Sequence, residues 1–316
     1  MLIRNFIFWL STKKTLTDAI GRRGMKYGFA QRFVAGEALA DALDASRELA
    51  HDGRRVSLNH LGENVRTVRE AERARDSYIE MTRQLHAAGL DGNISIKLTQ
   101  LGLDFDRRLC ERLTGEIAAA AGELSRSIEM DMEASKYTDS TLDIFEATVR
   151  RAPATGLAIQ AYLFRSEHDI ERLMRHKPKI RLVKGAYRES GRIAFQKKSQ
   201  VDSHYRKRID QLLDHSAEGR CLPAIATHDP LMLDYARAGI KRRGLTPDRY
   251  EFQMIYGIRR DLQQALRAQG HPLRIYVPFG TEWCPYFMRR LSERPANCWF
   301  VLRNLFAESS GNRRST

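Results

Sequence analysis

At 316 residues, 42% of them hydrophobic, the chain is long enough for one large domain or two small ones and can bury a sizeable core, which excludes global disorder. Its formal charge of +14 invites nucleic acid or an anionic membrane surface, but the Lys and Arg are spread along the chain, not massed in a stripe with interleaved aromatics, which argues against nucleic acid. No apolar run approaches the ~18–20 residues that span a bilayer, and Cys110, Cys221, Cys284 and Cys298 form no C-x-x-C pair, which argues against a disulfide framework and a structural zinc site.

The N-terminal "MLIRNFIFWLSTKK" is apolar, short and not followed by a small-residue cleavage site, so it reads as an amphipathic or loosely packed arm and not as a secretory signal. The stretch to about residue 50 has helical patterning and precedes the first strand. From there short runs rich in β-branched residues alternate with longer helical segments. The runs are "RRVSLNHLGE", "NISIKL", "SIEMDME", "LAIQAYL", "IRLVKGAY", "PAIATHD", "YEFQMIYG" and "LRIYVPFG". Between them, "TVREAERARDSYIEMTRQLHAAG" is amphipathic and ends in glycine, and "SEHDIERLMRH" opens with a Ser cap and acidic residues in its first turn. Strands alternating with helices imply parallel pairing through right-handed crossovers, and eight such units predict a (β/α)8 barrel. A doubly wound open sheet is the alternative fold, weakened because no G-x-G-x-x-G follows the first strand. The expected organisation is a helical arm over residues 1–50, a catalytic barrel over 51–305 and a polar tail over 306–316.

Barrel enzymes work at the C-terminal ends of their strands. There this chain carries Glu63 after the first run, Lys97 at the second, Asp131 and Glu133 at the third, and Gln160 and Tyr162 at the fourth. Arg181, Lys184 and Tyr187 come with the fifth, Thr227, His228 and Asp229 with the sixth, Gln253 with the seventh and Tyr276 with the eighth. Each has an ordinary explanation taken alone: an outward lysine, an Asp131–Lys97 structural ion pair, a capping histidine, a packing tyrosine. Polar groups at all eight strand ends, inside otherwise apolar runs, are not ordinary. Just after the eighth strand, Tyr286, Arg289, Arg290 and Glu293 fall at spacings of three, four and seven, on one face of a helix. That face is either solvated and held by Arg289–Glu293 pairing or a guanidinium clamp for an anion such as a carboxylate. No H-x-x-x-H spacing, P-loop or G-x-S-x-G elbow is present, and no metal is expected.

In this order, "DMEAS", "QAYL", "RLVKGAY", "ATHD", "YGIRRDL" and "YVPFGTEWCPYFMRRLSERPAN" resemble the flavin-dependent proline dehydrogenases, and most closely the small bacterial enzymes that carry this activity alone. The likeness covers roughly residues 26–300, and its last motif is long and specific. It implies a distorted (β/α)8 TIM-type barrel with its last helix over the mouth and noncovalent FAD at the strand ends. The implied reaction takes L-proline to Δ1-pyrroline-5-carboxylate by hydride transfer from C5 to flavin N5, the first step of proline catabolism to glutamate, with a quinone as electron acceptor. By motif, Arg289 and Arg290 would bind the proline carboxylate with Lys97, Asp131 would orient them, and Arg181 would reach the flavin N5 edge. Met132, Gln160, Lys184, Gly185, Ala186, Thr227 and His228 would line the FAD. Tyr187, Tyr276 and Tyr286 would wall the proline ring, and Glu63 would act as a gate by pairing with a clamp arginine. The expected location is the cytoplasm, with room for a peripheral hold on the inner face of the cytoplasmic membrane. Two other readings stay open on the residues: a Schiff-base aldolase using Lys97 or Lys184, and a basic nucleic-acid-binding scaffold.

Overall fold

The structure is a computed structural model and describes residues 32–62, 65–283 and 286. Helix α1 (Leu39–His51) leads into strand β1 (Arg55–His60). Then follow α2 (Val68–Ala87), β2 (Gly92–Ile96), α3 (Arg107–Glu123), β3 (Ile128–Met130), α4 (Thr138–Val149), β4 (Gly156–Gln160), α5 (Ser166–Leu173), β5 (Lys179–Val183), α6 (Lys198–Ala217), β6 (Leu222–Ala226), α7 (Pro230–Arg242), β7 (Glu251–Ile255), α8 (Arg260–Ala268) and β8 (Leu273–Phe279). All neighbouring strands pair in parallel, and β8 pairs with β1 from Arg55↔Arg274 to His60↔Phe279, closing the barrel in sequence order. Each of the eight strands overlaps one of the eight runs named above, and β2, β4, β5 and β6 each begin one residue before theirs.

Local chemistry sets the helix starts. Thr67 accepts from the Glu70 amide, and the Glu70 carboxylate accepts in return from the amides of Arg66 and Thr67, a reciprocal cap on α2. Asp229 caps α7 through the Leu231 amide, with Pro230 in the first turn where it costs no hydrogen bond. Helix α1 packs against both β8 and β1, burying Leu43 and Leu49. It thus covers the seam that the helix following β8 would cover in a regular barrel. The segment just before α1 is tied to the end of β8: Ala35 N donates to Pro278 O, Gly280 N to Gly36 O, and Trp283 Nε1 to Glu37 Oε1.

The two faces of the strands differ sharply. Residues such as Val56, Ile94, Leu157, Ile180 and Ile275 point outward and form one apolar core beneath the helices. The inward face carries Glu129 and Asp131 on β3 and just past its end, Lys179 and Arg181 on β5, Glu251 and Gln253 on β7, and Arg274 and Tyr276 on β8. Below the rim, inward positions on the intervening β4 and β6 are small: Gly156, Ala158, Ala224 and Ala226. Long polar chains from alternate strands therefore fill a space that small residues leave. Among the described residues, no helix is long and apolar enough to cross a membrane.

Candidate active site

Asp131 is the hub at the C-terminal end of the barrel. Its Oδ1 accepts from Ser95 Oγ at 2.7 Å and from Arg181 Nη1 at 2.6 Å, and its Oδ2 accepts from the Tyr276 hydroxyl at 2.8 Å. Lys97 Nζ stands 3.7 Å from Oδ2 and donates to Asn59 Oδ1 at 2.9 Å. Residues at β2, β5 and β8 thus converge on the carboxylate at the end of β3, and Asn59 of β1 holds Lys97 beside it. Burial pushes the Asp131 carboxyl up, but Arg181 and Lys97 outweigh it and hold it below the usual carboxylate range. Burial, reinforced by the Asp131 charge, raises the Tyr276 phenol well above its ordinary value, so it stays neutral and donates. The Arg181 guanidinium also lies over the Tyr276 ring, 5.2 Å from its centre.

Arg181 is only 5% exposed. Its two terminal nitrogens are taken by Asp131, Ser95 and Glu129, while its Nε–H is buried without a partner. Asn59 Nδ2, beside Lys97, is likewise buried and unpartnered. An unmet charged donor in the interior costs ~1–3 kcal/mol or more, so an acceptor-bearing ligand edge suits this level of the barrel. In that respect the donor set fits a flavin edge and a carboxylate.

The other residues singled out from the sequence lie along the rim at β4, β5 and β6. Gln160 is 2% exposed; its Nε2 donates to Glu133 O and its Oε1 accepts from Ala186 N. Lys184 is bridged to Asp202 and, at 2.7 Å, to Asp229. A nucleophilic lysine needs apolar or cationic surroundings, so this double ion pair disfavours Lys184 as a Schiff-base former. Gly185 has φ +132°, and a Cβ there would fall 2.3 Å from Tyr162 Cδ1, so glycine is required for both conformation and space. Tyr187 meets the same ring, its carbonyl accepting from the Tyr162 hydroxyl at 3.2 Å. Thr227 Oγ1 accepts from Asp229 N, and His228 Nε2 accepts from Ile255 N at 2.9 Å, which leaves the His228 proton on Nδ1. Met132 is buried in the shared core.

Tyr286 is buried and close enough to Tyr276 to bear on its ionisation. Glu63, Arg289 and Arg290 lie outside the described residues, as do Cys284 and Cys298. Burial raises the thiols of Cys110 and Cys221 to about 12, which leaves them inert as nucleophiles at neutral pH. Among the described residues no group of His, Cys, Asp and Glu is placed to hold a metal ion.

Sequence reading missed the layer beneath. Glu129, Lys179, Glu251 and Arg274 form a continuous ion chain: Lys179 Nζ lies 3.0 Å from Glu129 Oε1 and 2.8 Å from Glu251 Oε1, and Arg274 Nε donates to Glu251 Oε1 at 3.0 Å. Gln253 Nε2 donates to both carboxylates. The signal was available. Each of these residues sits two positions before a polar residue on the same strand, and a period of two places both on one face.

Comparison with known proteins bears on the family and the fold. The proline dehydrogenase family model matches residues 42–303. Proline dehydrogenase 1 of Bacillus subtilis (strain 168) is 34% identical over 305 residues, covering 96% of this chain and 99% of the relative. The proline dehydrogenase of Deinococcus radiodurans is 37% identical over 293 residues, covering 91% and 93%. Among solved structures, proline utilization A from Bdellovibrio bacteriovorus, inactivated by N-propargylglycine, superposes with a TM-score of 0.78 at 22% identity. This chain aligns over 84% of its own length but spans only 32% of that protein, so the likeness speaks for the barrel fold.

Proposed function

The chain belongs to the proline dehydrogenase family, and from that premise we propose that it oxidises L-proline to Δ1-pyrroline-5-carboxylate at the barrel mouth, using noncovalent FAD and passing electrons to a quinone. When bound, the flavin supplies the two-electron acceptor for the hydride leaving C5. Orientation and electrostatics are the protein's share. Lys97 offers its ammonium to the substrate carboxylate together with Arg289 and Arg290, whose planar forks match a carboxylate. Asp131 holds Arg181 and Tyr276 by direct hydrogen bonds and faces Lys97, so these groups are oriented before substrate arrives. With its hydroxyl given to Asp131, Tyr276 presents its ring to the ligand and walls the proline, together with Tyr187 and Tyr286. The unpartnered Nε–H of Arg181 is the donor we assign to the flavin edge. Met132, Gln160, Lys184, Gly185, Ala186, Thr227 and His228 line the cofactor in this reading, and Glu63 gates the substrate through a clamp arginine.

The observation that carries the proposal is the convergence of Lys97, Arg181 and Tyr276 on Asp131 at the C-terminal end of the barrel, beside a buried donor with no partner. An absorbance spectrum tests it. The purified protein should be yellow, and the flavin bands should bleach under nitrogen on addition of L-proline. A protein that remains colourless after incubation with FAD contradicts the proposal. A lipid-soluble quinone also requires a meeting with the membrane surface, for which the +14 charge and the apolar stretch ending in Lys13 and Lys14 are suited. Flotation with anionic liposomes at low salt should carry the protein into the lipid fraction, and its absence from lipid at both low and high salt would refute this association.

A further inference from the structure

The ion chain beneath the mouth ends on Arg181, the residue assigned above to the flavin edge. Arg181 is gripped by two carboxylates. Asp131 takes Nη1 from above and Glu129 takes Nη2 from below, with Ser95 Oγ 3.2 Å from both nitrogens. Glu129 is fully buried and is itself fixed: Lys179 Nζ lies 3.0 Å from Oε1, and Gln253 Nε2 donates to Oε1 at 3.0 Å. The neighbouring strand makes way for it, since a Cβ at Gly156 would stand 2.8 Å from Glu129 Cγ. A buried ion pair is weak evidence for stability, because well-packed apolar residues of similar volume often serve as well. The interior of a (β/α)8 barrel is ordinarily filled with such residues. A charge held this firmly on an active-site guanidinium calls for a different account.

We infer that Glu129 is a positioning residue: it fixes the height of Arg181 in the barrel and sets how much of the arginine's positive charge reaches the mouth. Lys179 opposes it from the other side, drawing part of the Glu129 charge away from Arg181. Gly156 serves the same arrangement by leaving the path of the Glu129 side chain open. The inference rests on the proposed flavin site, because it assigns Arg181 to the flavin edge.

The test is the midpoint potential of the bound flavin, measured on flavin-loaded protein. Glu129→Gln keeps the shape and removes the charge, so more of the Arg181 charge is felt at the mouth. The equilibrium between oxidised and reduced flavin should move about tenfold toward the reduced form, equivalent to ~30 mV for a two-electron couple. The same substitution in an Arg181→Met background should move it less than about threefold, since Glu129 acts through the arginine. Should Glu129→Gln fail to fold, Lys179→Gln carries the test, with a shift in the opposite direction. An unshifted potential in folded, flavin-loaded Glu129→Gln, or an equal shift in both backgrounds, overturns the inference, as does an unshifted Lys179→Gln. A wild-type protein that takes up no flavin defeats the functional proposal, and this inference with it. A yellow, proline-reducible wild type with an unshifted variant defeats this inference alone.

Discussion

On their outward face the barrel strands carry Leu58, Ile96, Ile159, Leu182, Ile225, Phe252 and Val277, none more than 2% exposed and all in one apolar core. On the inward face β3, β5, β7 and β8 and their ends carry Glu, Asp, Lys, Arg and Tyr, buried or half-buried and joined by hydrogen bonds and ion pairs. The outer layer draws its stability from area removed from water, at roughly 25 cal/mol per Å². The inner layer gains little net free energy, because desolvation of each charge offsets most of the attraction to its partner. We assign its charges to the proposed site. In this reading stability and function are divided between two faces of one sheet, one residue apart in sequence.

Arg181→Met should show the largest combined effect. It strips Glu129 and Asp131 of their shared cation, and breaking a buried pair costs ~3–5 kcal/mol. Chemical denaturation should show that loss, and the folded fraction should lose at least ~100-fold in kcat/KM for L-proline. Phe252→Ala sharpens the contrast from the other face. Its cavity should lower stability by ~3–5 kcal/mol, while folded protein keeps kcat/KM within about twofold. A large kinetic loss in Phe252→Ala would show that the two faces are not separable.

A smaller effect is expected at the carboxylate clamp. Arg290→Lys keeps the charge but loses the planar fork, at ~1.5–3 kcal/mol in kcat/KM, mainly through KM, with flavin content and stability unchanged. Wild-type KM in both Arg289→Lys and Arg290→Lys would mean that these arginines only form a charged face. The smallest effect is in the acid limb of stability. Burial raises the carboxyls of Glu129, Asp131 and Glu251, but Arg181, Lys179, Arg274 and Lys97 hold all three below their ordinary values. Groups depressed in the fold stabilise it above their unfolded pKa, near ~4, and lose that contribution as pH falls through the folded values. Denaturation midpoints should therefore hold from neutrality to about pH 4.5 and fall below ~4. Glu129→Gln should make this acid limb shallower; Phe252→Ala should leave its slope alone.

Much of this division was readable in the chain. All eight strands stand where alternation of β-branched runs with helical segments put them, because an outward apolar face has to recur on each strand. Lys97, Asp131, Arg181 and Tyr276 were legible as polar groups at strand ends, and the structure brings them together. The lower ion chain was less legible: Glu129 and Lys179 precede Asp131 and Arg181 by two residues on the same face, but they lie below the strand ends, where a barrel interior is ordinarily apolar. Other features depend on closure and leave no local trace. Lys184 meets Asp202 and Asp229 only because the chain folds back across 18 and 45 residues. Gly156 is needed only because Glu129 reaches across from the next strand.

The Asp131 cluster is where we propose L-proline is oxidised. Anaerobic mixing of flavin-loaded Asp131→Ala with L-proline, followed at the flavin bands beside the wild type, tests it directly. Both proteins should be yellow, with the wild type bleaching rapidly and the variant at least ~100-fold more slowly, a loss of ~3 kcal/mol or more in transition-state stabilisation. A variant that retains its flavin and bleaches at the wild-type rate would contradict the claim.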